Sequence, residues 1–259
     1  GVVNRLLDET DAARKMIMLR GSPAFGGVRD VGEALSRAER GGMLNTRELL
    51  DIAGLLTNVR RVQDYYKEDE EGTVIDKLFL SLHPNRFLEE KIFTSITGED
   101  EIADSASSEL ASIRRLIRAA SARVHDALQK IIPSPSYAKA LQEPIITMRD
   151  GRFVVPVKIE CKNEVKGLVH DTSSSGATVF IEPMAVVDAN NEIRMLQNEE
   201  QLEIDRILQE FSERVGQVAD ATRDSFAALL QLDLLFAKSR LADKMKATVP
   251  DLNEDGIIE

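Results

Sequence analysis

Apolar side chains recur at helical spacing through the first hundred residues. Val2, Val3, Leu6, Leu7, Ala13, Ile17 and Leu19 predict a helix over 2–20 that stops at Gly21-Ser22-Pro23. The Gly26-Gly27 and Gly41-Gly42 pairs read as turns around a short helix over 28–40, with Val28, Val31, Ala34, Leu35 and Ala38 on one side. Asn45 and Glu48 have capping-box spacing, and Leu49, Leu50, Ile52, Ala53, Leu55, Leu56 and Val59 carry the next helix to about Asp64. Shorter helices follow over 73–82 and 85–97, parted by Pro84. Residues 1–104 thus read as the first part of a helical core.

From Ser105 the apolar stripe narrows to Ile113, Leu116, Ala120, Val124, Ala127 or Leu128, and Ile131, the 3,4 rhythm of a coiled-coil seam. One projecting helix of about 28 residues, ~40 Å long, is expected. Pro133, Pro135 and Pro144 end it, so 105–144 reads as an outgoing lever and connector. Residues 145–183 alternate as strands do: Ile145 to Met148, an Asp150-Gly151 hairpin turn, Phe153, Val155, Val157 and Ile159, then Leu168 to His170 and Ala177 to Ile181. Helical spacing returns over 184–216 through Ile193, Leu196, Ile204, Ile207, Phe211 and Val215, with a polar stretch at Glu199, Glu200 and Glu203. Residues 217–259 complete the core through a broad apolar face of Phe226, Leu229, Leu230, Leu232, Leu234, Leu235 and Phe236. The fold class is mainly α with a small antiparallel β insertion.

Composition agrees: 259 residues, 30% charged and 5% aromatic with no Trp, favour long solvated helices over a β-sandwich. A single cysteine, Cys161, excludes an internal disulfide and points to a reducing compartment. With no run of about 18 apolar residues and no signal-like start, no membrane partner is expected, and the location is expected to be cytoplasmic. The chain opens Gly-Val-Val and closes Asp-Gly-Ile-Ile-Glu on a new strand-like run, so a piece of a longer protein is expected.

The net charge of −11 argues against nucleic acid as a bulk partner, but it is unevenly spread. Residues 105–170 hold eleven Lys or Arg against six acids, a local +5, whereas residues 185–213 hold eight acids against two Arg. Two readings follow: the basic outgoing helix pairs with the acidic return helix, or the basic strands grip phosphates without reading bases.

No glycine is followed by Lys, so no phosphate-binding loop and no ATPase site exist in this chain. The run His170-Asp171-Thr172-Ser173-Ser174-Ser175 holds triad residue types, but adjacent strand positions point opposite ways and do not converge. His83, His125 and His170 lie too far apart for a metal-ligand spacing. Cys161 reads as a bystander thiol rather than one activated by Lys162, and the Ser-rich turn reads either as self-satisfying or as hydroxyls offered to phosphate. Catalytic, cofactor and metal residues are expected to be absent from this piece, which is then not itself an enzyme.

Met148-Arg149-Asp150-Gly151-Arg152-Phe153-Val154-Val155-Pro156-Val157-Lys158 and Gly167 through Pro183 resemble the β segment of the second bacterial MutS paralogue family. Gly21-Ser22-Pro23, Gly26 through Asp30, and Asn190-Asn191-Glu192 resemble it too, so the likeness covers essentially the whole chain. The resemblance implies a helical core bearing two lever helices and a β clamp on nucleic-acid backbone. It further implies an intact homodimeric ATPase using ATP and Mg, with ATPase, linker and Smr endonuclease domains after Glu259. The implied roles are suppression of homologous recombination on branched DNA, and rescue of stalled ribosomes with rRNA contact. Candidate backbone contacts are Arg149, Arg152, Lys158, Lys162, Lys166, His170, Ser173, Ser174 and Ser175. The alternative is a protein–protein interaction or dimerisation module built on a coiled-coil arm.

Overall fold

The computed structural model describes residues 1–67 and 72–250; the strand-like run expected at the end of the chain lies outside them. The chain folds into two compact units, Gly1–Ala103 with Leu208–Glu259, and Asp104–Ile207.

The first unit contains α1 (Val2–Arg20), α2 (Gly32–Glu39), α3 (Thr46–Tyr65), α4 (Asp76–Leu80) and α5 (Arg86–Ser95). Helix α2 starts four residues later than the expected 28, because Asp30 Oδ1 accepts from the Gly32 amide at 2.9 Å and makes a turn first. The capping box of α3 forms: Asn45 Oδ1 accepts from Glu48 N at 2.9 Å, and Glu48 Oε2 accepts from Asn45 N at 3.0 Å. Helix α5 gives way to a hairpin absent from the sequence reading, β1 (Ile96–Gly98) with β2 (Glu101–Ile102), too short for alternation to reveal. The unit closes with residues 208–217 and the helix Ala219–Met245, which packs against α1 to α4. Phe236 gathers Phe25, Tyr65 and Phe79, with ring centroids 5.5, 5.9 and 6.5 Å away. The broad apolar face expected over 226–236 is corrected, since Leu230 and Leu234 face solvent. Buried Thr222, Ser225 and Ser239 share the core side with Leu229, Leu232 and Phe236, their hydroxyls satisfied by carbonyls four residues back.

The second unit opens with α6 (Ser108–Ile131), 24 residues long, capped by Ser107 Oγ accepting from Leu110 N at 2.9 Å. A short α7 (Pro135–Ala140) occupies the connector, with Pro135 in the first turn where its missing N–H is harmless. Strands β3 (Thr147–Arg149), β4 (Arg152–Lys158), β5 (Gly167–Thr172) and β6 (Thr178–Pro183) form an antiparallel sheet in the order β3-β4-β6-β5. A single 3₁₀ turn leads into α8 (Val187–Gln217), whose last residues belong to the first unit. Ala120, Val124 and Leu128 share one buried cluster with Val155, Val157, Val179, Ile181 and Ile193, so the expected seam seats a sheet. Leu116 is a correction: it is exposed, and half-buried Ile117 carries the stripe from Ile113 to Ala120. Strand β4 does not alternate either. Residues 154–157 are all buried, as in a central strand, and Leu141 bridges Val157 beyond the stretch paired with β3.

Candidate nucleic-acid interface

The Asp150-Gly151 turn has φ of 48° and 75°, the two left-handed residues of a tight hairpin, and closes on the Arg149–Arg152 pair. Arg149 lies over the Phe180 ring, 3.8 Å from its centroid, with Nε 3.2 Å from Asp171 Oδ2. Arg152 turns inward. Its Nη1 donates to both Glu182 oxygens at 2.8 and 3.0 Å, and Nη2 to Asn191 Oδ1 at 2.7 Å. His170 Nε2 lies 2.6 Å from Glu182 Oε2, and Asn190 Nδ2 donates to Oε1 at 2.7 Å. Glu182 therefore sits at 0% exposure with Arg152, His170 and Asn190 around its carboxylate.

Asn190 does a second job. The β4–β6 ladder ends at Val155 and Ile181, and two residues on, Pro183 stands opposite Phe153 with no N–H to give. The Asn190 carboxamide supplies the missing pair: Phe153 N donates to Oδ1 at 3.2 Å, and Nδ2 donates to Phe153 O at 3.1 Å. Gly167 is set by the same crowding, because a Cβ there would stand 2.2 Å from the Glu182 carbonyl oxygen.

The remaining candidates are spread along the sheet rather than clustered. Lys158 pairs with Thr178 beside the Ser-rich turn, its Nζ donating to Lys139 O at 3.2 Å. In that turn the half-buried Ser173 accepts from Thr178 N at 3.1 Å, while Ser174 and Ser175 are exposed. Lys162 follows a 3₁₀ turn on the β4–β5 connection and is exposed. Lys166 lies at the opposite end of β6, its carbonyl accepting from Met184 N. Lys162 and Lys166 make no ion pair among the described residues, but Glu160 and Glu164 share their segment.

Ion pairs consume much of the local +5. Arg114 reaches Glu200 at 2.6 Å and Asp104 at 2.8 Å, Arg118 reaches Asp104 at 3.3 Å, and Arg123 reaches Glu192 at 2.6 Å. With Arg149 on Asp171 and Arg152 on Glu182, five arginines meet acids that all lie outside residues 105–170. Glu203 of the polar stretch on α8 accepts from the Ser107 hydroxyl at 2.6 Å and from Arg206. The Arg206 hydrogen bond, with help from Ser107, holds its carboxyl below the usual range.

Burial, with Glu164 and Glu160 beside it, raises the Cys161 thiol above its ordinary value, so Lys162 does not activate it. Among the described residues no group of three or more His, Cys, Asp or Glu is placed to hold a metal, and no helix is long and apolar enough to cross a membrane. The sequence reading missed the roles of Glu182, Asn190 and Asn191. The one signal was Asn190-Asn191-Glu192, and each of its side chains proves to hold a different partner: Phe153 with Glu182, Arg152, and Arg123.

A helical unit accompanied by a helix-framed antiparallel sheet is the class of structure implied by resemblance to the second bacterial MutS paralogue family. The chain is 45% identical over 260 residues to Endonuclease MutS2 of Ruminiclostridium cellulolyticum, covering 99% of the chain and 33% of that protein. The counterpart in Acetivibrio thermocellus is 44% identical over 257 residues, 98% of the chain and 32% of the relative, and that of Clostridium perfringens is 41% identical over 260 residues, 99% and 33%. This homology shows the resemblance to the MutS2 family, and the chain spans about a third of the length of the curated relatives it matches. No protein-family model matches the chain.

Proposed function

We propose that the second unit contacts nucleic-acid backbone through Lys158, Lys162 and Lys166, with the Ser174 and Ser175 hydroxyls as auxiliary donors. One observation supports the reading: where the arginines of the β strands are held by acids, Lys162 and Lys166 are exposed with no ion pair among the described residues, and the half-buried Lys158 donates only to the Lys139 carbonyl. Arg152 and His170 act behind them, holding the sheet through Glu182. Arg149 contributes only if it leaves Asp171. Homology to proteins named endonucleases supports nucleic acid as the ligand class. Branched DNA and structured ribosomal RNA both present the phosphates this surface suits, and suppression of recombination and ribosome rescue are the corresponding roles. Nucleotide hydrolysis with ATP and Mg, endonuclease chemistry and the homodimer belong in this reading to the longer protein.

The test is fluorescence anisotropy with a branched DNA and a structured RNA across a salt series. Three phosphate contacts give a slope of log K against log salt of about −3 on duplex, and a Lys158, Lys162, Lys166 triple Ala variant should approach zero slope. A triple variant whose slope matches the unmodified chain removes these lysines from the interface.

A further inference from the structure

Arg149 reaches across the sheet. Alternation from the paired residues puts Arg149, Arg152, Pro156 and Phe180 on one side, and the Arg149 guanidinium lies over the Phe180 ring two strands away, 3.8 Å from its centroid. Its edges are held: Nη1 donates to Met148 O at 2.8 Å and to Thr147 Oγ1 at 3.3 Å, and Nε lies 3.2 Å from Asp171 Oδ2. The guanidinium thus rests on an aromatic ring with three partners fixing its angle, yet the side chain stays 36% exposed.

We propose that the outer side of the Arg149 guanidinium is a stacking platform for one unpaired nucleobase, with Phe180 as its backing. The proposal rests on the nucleic-acid reading above and adds a preference to it, for strands whose bases are out of the helix over continuous duplex. The chemistry selects that occupant. A guanidinium is planar and weakly hydrated and stacks on π systems, and unpaired bases are taken up on aromatic rings and guanidinium planes. A paired base keeps both its faces inside the duplex and has none to offer. A phosphate contact requires Arg149 to leave Asp171, whereas a base uses the flat side of the guanidinium and leaves that pair in place. The nearest candidate cation fits the rest of the nucleotide. Lys158 pairs with Thr178, two residues along from the Pro156–Phe180 pair, a step of about 7 Å, so a phosphate at Lys158 and its base at Arg149 lie within reach of one extended nucleotide.

Fluorescence anisotropy of the chain with a single-stranded oligonucleotide, made as DNA and as RNA, tests this against the same DNA strand with its central nucleotides abasic, which keeps every phosphate. The base-bearing strand should bind on the order of tenfold more tightly at an unchanged salt slope, and the tighter of the DNA and RNA strands names the source of the base. Arg149→Lys keeps the charge and removes the plane, and should erase the difference between base-bearing and abasic strands; Phe180→Leu should reduce it. Circular dichroism melts set the temperature so that both variants are compared folded. Equal binding of base-bearing and abasic strands, or a difference that survives Arg149→Lys, overturns the proposal. If the Lys158, Lys162, Lys166 triple Ala variant meanwhile flattens the salt slope, the backbone reading stands and only the platform fails; a chain that binds no strand removes both.

Discussion

Glu182 is a buried anion whose solvation is supplied by Arg152, His170 and Asn190. Removing one partner from such an arrangement is worse than removing both, because the survivor keeps its desolvation without its counter-charge. Glu182→Ala should therefore destabilise the second unit by about 3–5 kcal/mol, and a Glu182→Leu, Arg152→Met double variant should recover much of it; urea unfolding monitored by circular dichroism measures both. Glu89 poses a different case. Arg60 donates to it at 2.8 and 3.0 Å and Thr57 at 2.9 Å, and the Arg60 hydrogen bonds hold the Glu89 carboxyl below its ordinary value. Asp104, held by Arg114 and Arg118, and Glu203 shift the same way. A depressed native pKa means stability that is complete above the unfolded value of about 4.3 for Glu or 3.9 for Asp and is lost as pH falls through the native one. Melting temperature should accordingly hold from neutrality to about pH 5 and fall below it. A flat profile down to pH 3 would show that these ion pairs do not contribute. Neither the Glu182 nor the Glu89 network is legible in the sequence, because the partners lie 8 to 30 residues from Glu182 and 29 to 32 from Glu89. Local spacing can suggest an i,i+3 pair such as Glu203 with Arg206, but it does not say which distant acid meets which base.

At the scale of elements, local signals performed according to how local their cause is. The α3 capping box and the Asp150-Gly151 hairpin are decided within four residues and stand as read. Four connected strands also stand, since β propensity and turn chemistry agree there. What depends on partners does not follow from spacing: Leu116 has seam spacing yet is exposed, and β4 alternates in sequence although residues 154–157 are all buried. Leu230 and Leu234 look identical to their buried neighbours in sequence, and only packing sorts them. The close approach of β5 to β6 gives a sharp test. Gly167→Ala places a methyl against the Glu182 carbonyl, and relief requires the strands to part, at about 1–3 kcal/mol. Hydrogen exchange should report it as faster exchange in β5, with the first unit unaffected.

For the whole molecule, the charge map drawn along the sequence changes when folded. A +5 excess over residues 105–170 suggested a basic surface, but Asp104, Asp171, Glu182, Glu192 and Glu200 arrive from outside that window and engage five of its arginines. Apart from the exposed Arg115, which meets only the Ser112 hydroxyl, the cations left without an acid partner are lysines, whose flexible stem and strongly hydrated ammonium suit the mobile phosphate backbone of the proposed reading. Binding should thus be weak and strongly salt-dependent, and Arg114→Gln should change stability rather than the salt slope, a distinction that anisotropy and thermal melts draw together. The candidate lysines are legible in the sequence as residue types in and between the strands; which cations lack an acid partner is not.

The start of α8 does not tolerate a change in length. Asn190, Asn191 and Glu192 leave the helix about 100° apart, and each finds its own partner. Pro183 anchors the start of the run, so six residues separate a fixed strand end from a fixed carboxamide. Deleting or inserting one residue there turns all three side chains away at once, whereas an added residue at Ser174 or Ser175 only lengthens an exposed turn. Length variation among natural or engineered versions should therefore be absent between Pro183 and Asn190 and accepted at the serine turn, which a library of single-residue insertions scored by solubility can establish.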